Sequence, residues 1–254
     1  MIDVHCHLEQ EDFDKDREKV IAECAKRMKA VVSSAAAFSD FEKTLFMHRK
    51  HPNFVFISLA IHPTYIKEVN DLEIEQAIAF IRKNKSEISA IGETGLDYYH
   101  VKDEKLREKQ KEMFERFIDL ALELKKPIVI HSRDARDECI KILEKKGMKN
   151  KKVLMHLFQG KPLLKRVIEN GWMISIGPNI LKSKETRKIA RDCPISNLML
   201  ETDSPWFGYG ERGTPLNVFK AAARIAEIKK IPAAEIEKQA DLNAEKFFEI
   251  NISK

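Results

Sequence analysis

Eight short apolar runs, separated by longer amphipathic stretches, set the tightest limit on the fold. They are Ile2–His5, Ala30–Ser34, Phe54–Ile61, Ile88–Gly92, Pro127–Ile130, Val153–Met155, Trp172–Ile176 and Leu198–Leu200. Each is rich in Val, Ile, Leu, Phe or Met, and short enough for a strand buried on both faces. The intervening stretches carry apolar residues at helical spacing. Asp14–Met28 lines up Val20, Ile21, Cys24 and Met28, and Glu104–Leu124 lines up Met113, Phe114, Phe117, Leu120, Ala121 and Leu124. Asp134–Lys146 and Lys161–Asn170 follow suit, with Gly147 and Gly171 placed to end them. Asn217–Ile228 and Ala233–Ala240 continue the pattern. Strands and helices alternating in this number over 254 residues predict an α/β chain, a single (β/α)8 TIM barrel. A doubly wound open sheet usually needs fewer strands and a Gly-rich phosphate loop, and neither G-x-G-x-x-G nor G-x-x-x-x-G-K-[ST] occurs. No repeat, low-complexity tract or linker interrupts the chain, so residues 1–254 read as one domain.

A hydrophobic content of 43% excludes wholesale disorder. The most apolar stretch, Phe54–Ile61, is far too short to span a bilayer, and Met1–Glu9 carries Asp3, His5, His7 and Glu9 where a signal peptide would be apolar. Cys6, Cys24, Cys139 and Cys193 are scattered, with no C-x-x-C, and read as free thiols. These features predict a cytoplasmic protein with no membrane association. A net charge of +5, from 45 Lys+Arg against 40 Asp+Glu, permits a phosphate-rich partner without demanding one.

The chemistry gathers where the strands end. Asp3-Val-His5-Cys-His7 closes the first, His62 follows the third, Glu93 the fourth, His131 the fifth, His156 the sixth, and Glu201-Thr-Asp203 the eighth. In a barrel these ends share one face, where active sites form. Singly, each has an ordinary explanation: a buried histidine is usually hydrogen-bonded core, and a carboxylate after a strand often caps a helix. Together they would bury many imidazoles and carboxylates on one rim, which points to a divalent cation. His5 and His7, two apart on a strand, face the same way, while Cys6 faces the core. His5, His7, Glu93, His131, His156 and Asp203 exceed the needs of one metal, which suggests two ions with Glu93 bridging between its flanking glycines Gly92 and Gly95.

The segments Asp3-Val-His5-Cys-His7-Leu8, Gly92-Glu-Thr-Gly-Leu-Asp97, His131-Ser-Arg-Asp-Ala135, His156-x-Phe-x-Gly160 and Glu201-Thr-Asp-Ser-Pro205 resemble, in order, those of the TatD family of metal-dependent deoxyribonucleases. The resemblance implies a metallo-dependent hydrolase barrel acting on DNA phosphodiesters. It implies His5, His7 and Asp203 on one metal, His131 and His156 on the other, and Glu93 between them. The family's G-x-H-P reads Ala60-Ile-His62-Pro63, and Gln159 stands where a small polar residue is usual. Arg212-Gly-Thr-Pro215 replaces an Arg-Asn-Glu-Pro-like segment near the expected substrate entrance.

Two divalent ions (Mg, Mn or Zn) would activate water and clamp phosphate oxygens. Asp203 is then the expected metal ligand and general base. His62 is expected to touch the phosphate, to protonate the leaving group, or to brace the loop that follows it. Arg133 and Lys161 are candidate phosphate contacts, solvated side chains being the alternative. Asp97 and Glu201 are expected to hold ligand imidazoles. Tyr98, Tyr99, Trp206, Phe207 and Tyr209 could stack bases or simply pack the barrel top. DNA is the expected partner as substrate, with no obligatory protein partner. The competing functions are a related barrel hydrolase of amides, lactones or small phosphoesters, and a non-catalytic nucleic-acid-binding barrel. No lysine ends the fourth strand to become the carboxylated bridge that several amide and lactone hydrolases use.

Overall fold

The apolar runs become the strands of one sheet in a computed structural model that describes residues 1–250. They are β1 (Ile2–Cys6), β2 (Ala30–Ala35), β3 (Val55–Leu59), β4 (Ala90–Asp97), β5 (Ile128–Arg133), β6 (Val153–Met155), β7 (Met173–Ile176) and β8 (Leu198–Leu200). All eight stand in chain order, and each pairs in parallel with the next. The sheet curls until its edges meet. The amides of Thr202 and Asp203 donate to the His5 carbonyl at 3.3 and 2.9 Å. The Asp3 carboxylate pins the same seam, accepting from the Thr202 amide at 2.9 Å and its hydroxyl at 2.5 Å.

Helices α1 (Arg17–Ala25), α2 (Phe41–Lys50), α3 (Asp71–Lys83), α4 (Glu104–Leu124), α5 (Arg136–Lys145), α6 (Leu164–Glu169), α7 (Lys184–Asp192), α8 (Val218–Lys229) and α9 (Ala233–Phe248) follow the strands. Local chemistry sets several ends. Asn70 and Glu73 form a reciprocal capping box that starts α3. Gly147 and Gly171, both at φ +74°, terminate α5 and α6. Three expected helices begin late: a turn over Glu11–Phe13 precedes α1, Asp134, at φ +56°, delays α5, and a turn over Lys161–Leu163 delays α6. The expected helix at Ala233–Ala240 runs on to Phe248.

β1 and β4 each carry one residue too many against a neighbour. Asp3 pairs with Val31 but Cys6 with Ser33, and Ile91 pairs with Ile128 but Thr94 with Ile130. Such a bulge swaps which residues face the barrel axis. Ile2, Val4 and Ala90 therefore join the axial cluster below the bulges, while Cys6 and Leu96 above them pack outward against the helices. Unbroken alternation would have aimed Cys6 inward and His5, His7 and Glu93 outward. The β4 bulge needs glycine: at Gly92 a Cβ would stand 2.6 Å from the Val129 Cβ, and at Gly95 it would stand 2.0 Å from the His131 carbonyl oxygen. The expected end of strand four at Gly92 is thus corrected. The strand continues through the bulge to Asp97, and strand five continues past Ile130 to Arg133.

The lower barrel is filled by Ile2, Val4, Ala30, Val32, Ala90, Val129, Leu154 and Met199, and is closed from below by Phe247, Phe248 and Ile250.

Candidate metal centre

The upper barrel is polar. His5, His7, Glu93 and His156 are buried around its axis, and His62, His131 and Asp203 join them at the floor of a cleft of about 840 Å3. Glu93 stands in the middle with its two oxygens facing different partners. Oε2 lies 3.3 Å from His5 Nε2 and 3.7 Å from His7 Nε2. Oε1 lies 2.7 Å from His131 Nδ1, 3.2 Å from His156 Nε2 and 3.5 Å from His62 Nε2. Asp203 Oδ1 completes the first group, 3.4 Å from His7 Nε2 and 3.7 Å from His5 Nε2. All six residues expected as ligands are therefore brought together. Together with His62, their atoms form the overlapping groups His5/His7/Asp203, His5/Glu93/His156 and His62/Glu93/His131.

Each imidazole is held from behind on its other nitrogen, which fixes its ring and tautomer. His7 Nδ1 meets Glu9 Oε1 at 3.0 Å, and His5 Nδ1 meets the Ser34 hydroxyl at 3.2 Å. His156 Nδ1 meets Glu201 Oε2 at 3.0 Å, and His131 Nε2 meets Asp97 Oδ2 at 3.0 Å. Asp97 and Glu201 thus stand where the sequence suggested. Glu9 and Ser34 were not foreseen. Glu9 had a signal, since it continues the two-residue spacing of His5 and His7. Ser34 had none, because only the pairing of β1 with β2 brings it near.

The electrostatics are those of a site built for a cation. Burial works against the charge on Glu93, but the imidazoles of His156, His62 and His131 outweigh it and hold the carboxyl well below the usual range. Burial opposes a charged His7 and His156 too, yet Glu9 and Asp203 push His7 well up, and Glu93 and Glu201 push His156 well up. Without an ion, protons on imidazole balance the carboxylates. A divalent cation would replace those protons and take imidazole and carboxylate donors it suits, so the residues fit the group. Glu201 Oε1 is buried with no hydrogen-bond partner, a polar cost that a charged neighbour would offset.

His62 takes one of its expected positions, bracing the loop that follows it. Its Nδ1 accepts the Thr64 amide at 3.2 Å and lies 2.7 Å from the Thr64 hydroxyl, while Nε2 turns to Glu93. Arg133 reaches the cleft wall, with its guanidinium 4.1 Å from the Tyr99 ring centre. Lys161 does not reach the cleft: its ammonium pairs with Asp192 at 2.8 Å. Its expected phosphate contact is corrected, because the ammonium lies outside the cleft lining and is paired with a carboxylate at the end of α7. Trp206 and Phe207 line the cleft, and Trp206 sits edge-on to His7 with ring centres 5.0 Å apart. Tyr98 is tied down instead, its hydroxyl donating to Glu138 at 2.8 Å, and Tyr209 donates to the Pro178 carbonyl at 3.2 Å. Arg212, expected near the entrance, latches the loop after β8 by two bonds to Asp16 at 2.8 and 2.7 Å.

The family model for TatD related DNase matches residues 2–249. A putative deoxyribonuclease TATDN3 of Mus musculus is 33% identical, over 98% of this chain and 88% of that protein. An uncharacterized metal-dependent hydrolase of Methanocaldococcus jannaschii is 32% identical, over 97% and 96%. The crystal structure of a TatD homologue from Escherichia coli K12 superposes with a TM-score of 0.90 at 24% identity, covering 99% of this chain and 98% of that one, and supports the barrel architecture. Matched from end to end by the family model and by these relatives, this chain belongs to the TatD-related DNase family.

Proposed function

We propose that this barrel hydrolyses DNA phosphodiesters with two divalent metal ions. His5, His7 and Asp203 would hold one ion and His131 and His156 the other, with Glu93 standing between them. The observation that carries this reading is the division of Glu93, with Oε2 3.3 Å from His5 and Oε1 2.7 Å from His131. When bound, the two ions supply a lowered water pKa and positive charge opposite the phosphate oxygens.

The chain's own groups do the rest. Asp203 accepts the proton of the attacking water. It is the ligand carboxylate open to the cleft, its side chain 14% exposed against 3% for Glu93. Burial and the neighbouring His131 push His62 down, so its imidazole is neutral, and an Nδ1 that accepts from Thr64 leaves the proton on Nε2. His62 is therefore a hydrogen-bond donor to a phosphate oxygen and not the acid for the leaving group. Glu9, Ser34, Asp97 and Glu201 keep the imidazoles aimed. Among the described residues no lysine lines the cleft, which leaves Glu93 as the bridge and favours phosphoester over amide or lactone chemistry.

We assign the whole chain to one hydrolase domain and place it in the cytoplasm, where four buried, unpaired cysteines stay reduced. Among the described residues, no helix is long and apolar enough to cross a membrane. The test is digestion of 3′- and 5′-labelled single- and double-stranded DNA by metal-stripped protein supplemented with Mg, Mn or Zn. Cleavage that requires an added ion supports the reading. Cleavage of lactones or amides without any of DNA overturns it.

A further inference from the structure

Arg136 opens α5 at the lip of the cleft and lines it. Its Nε is buried and has no hydrogen-bond partner. Among the described residues, every other arginine has a hydrogen bond or an aromatic face to rest on, and Arg136 has neither. A guanidinium with a buried, unpaired N–H costs free energy until an acceptor arrives.

The surroundings are built to hold that side chain in place. Gly160 sits at φ +149°, and a Cβ there would stand 3.0 Å from the Arg136 Cδ. The glycine of His156-x-Phe-x-Gly160 therefore clears the path for the arginine stem, a role the metal centre does not explain. Arg133 lines the same wall. Resting on the Tyr99 ring at 4.1 Å, it keeps its N–H edges free for an anion. No carboxylate among the described residues pairs with either arginine, and apart from histidine they are the cations that line the cleft. The cap of α5 is Ala135, whose side chain accepts nothing from the first turn, so the positive end of that helix faces the same lip.

We infer that Arg136 and Arg133 form a second anion subsite, beside the metal centre, for the phosphate that neighbours the scissile one in a nucleotide chain. The inference rests on the phosphodiesterase reading and deepens it. Two forked guanidiniums match a phosphate better than lysines would. A substrate with a single phosphate leaves the subsite empty, whereas a dinucleotide carrying a terminal phosphate fills it.

The test uses manganese-loaded protein and three kinds of substrate. Bis(p-nitrophenyl) phosphate registers the centre alone. The dinucleotide d(TpT) is compared with its 5′-phosphorylated and 3′-phosphorylated forms, in separate arms. One of the two terminal phosphates should raise kcat/KM about tenfold or more in the native protein, mainly through KM, the size expected of charge-assisted hydrogen bonds. Arg136→Ala should erase that increment, and Arg136→Lys should keep part of it as a point charge. Melting temperature and metal content, measured alongside, certify that both variants are folded and loaded. A native protein indifferent to both terminal phosphates overturns the subsite, as does an Arg136→Ala variant that keeps the full increment. If no phosphodiester is cleaved with Mn, Mg or Zn, the proposed function falls and takes the subsite with it. Hydrolysis without the increment removes the subsite alone.

Discussion

The lower and upper halves of the barrel are made by the same strands and have opposite chemistry. Below, Val4, Ala90, Val129 and Leu154 meet Phe247 and Phe248 of α9 in an apolar, uncharged plug. Above, the imidazoles of His5, His131 and His156 each stand within 3.3 Å of the Glu93 carboxylate. The change occurs between the adjacent residues Val4 and His5 on β1, and between Ala90 and Glu93 on β4, where the bulges lie. A bulge lets one strand offer apolar side chains to the barrel at one end and ligands at the other, on the same inner surface. The plug is expected to carry stability and the centre function, and the two should be separable by mutation.

The largest effect tests the bridge. Glu93→Gln removes the charge shared by both ligand groups, so both metals should be lost and activity should fall below detection. Metal analysis retaining two ions at native affinity would show that the upper half does not hang on this residue.

Asp203→Asn keeps the side chain's shape and one oxygen ligand but removes the base. Turnover should drop roughly 10²–10⁴-fold while DNA binding and the melting temperature stay close to native and at most one metal is lost. Turnover near native would move the proton-accepting role to another group.

Phe248→Ala works on the other half. Removing a ring from the closed lower barrel should cost roughly 3–5 kcal/mol of stability, read from denaturant unfolding, with kcat of the folded fraction unchanged. A variant that melts normally but loses metal would show that the halves are coupled.

Glu201→Gln probes the support of the centre. The amide can still bond His156 Nδ1 but no longer supplies charge behind the ring. Metal affinity should fall about 10–100-fold, with little change in melting of the ion-free protein.

The smallest effect is one of pH. His7 and His156 hold their protons above the ordinary histidine range in the ion-free protein. Metal loading must expel those protons, so affinity should rise as pH climbs through the raised pKa values and fall below them. Calorimetry in two buffers of different ionisation enthalpy should register protons released on binding. An affinity flat with pH would place the protons elsewhere.

Strand count, order of appearance and the histidines and carboxylates at the strand ends were legible in the chain alone, because apolar runs and strand-end polar residues are local patterns. The limits of strands six and eight were legible to the residue, since a three-residue buried run leaves no room for error. The shared face of His5 and His7 was legible from their spacing. Which face that is was not, because the β1 bulge exists only in the pairing with β2. Strand four was expected to end at Gly92 because the apolar run stops there, whereas packing against Val129 and His131 requires glycine inside a continuing strand. Tertiary structure alone decided that Ser34 backs His5, that Lys161 turns away to Asp192 and that Arg212 latches to Asp16. It alone left Arg136 unpartnered over Gly160. These partners lie far apart in the chain, and a side chain's choice among distant charges is made by distance and burial, which a linear order of residues does not contain.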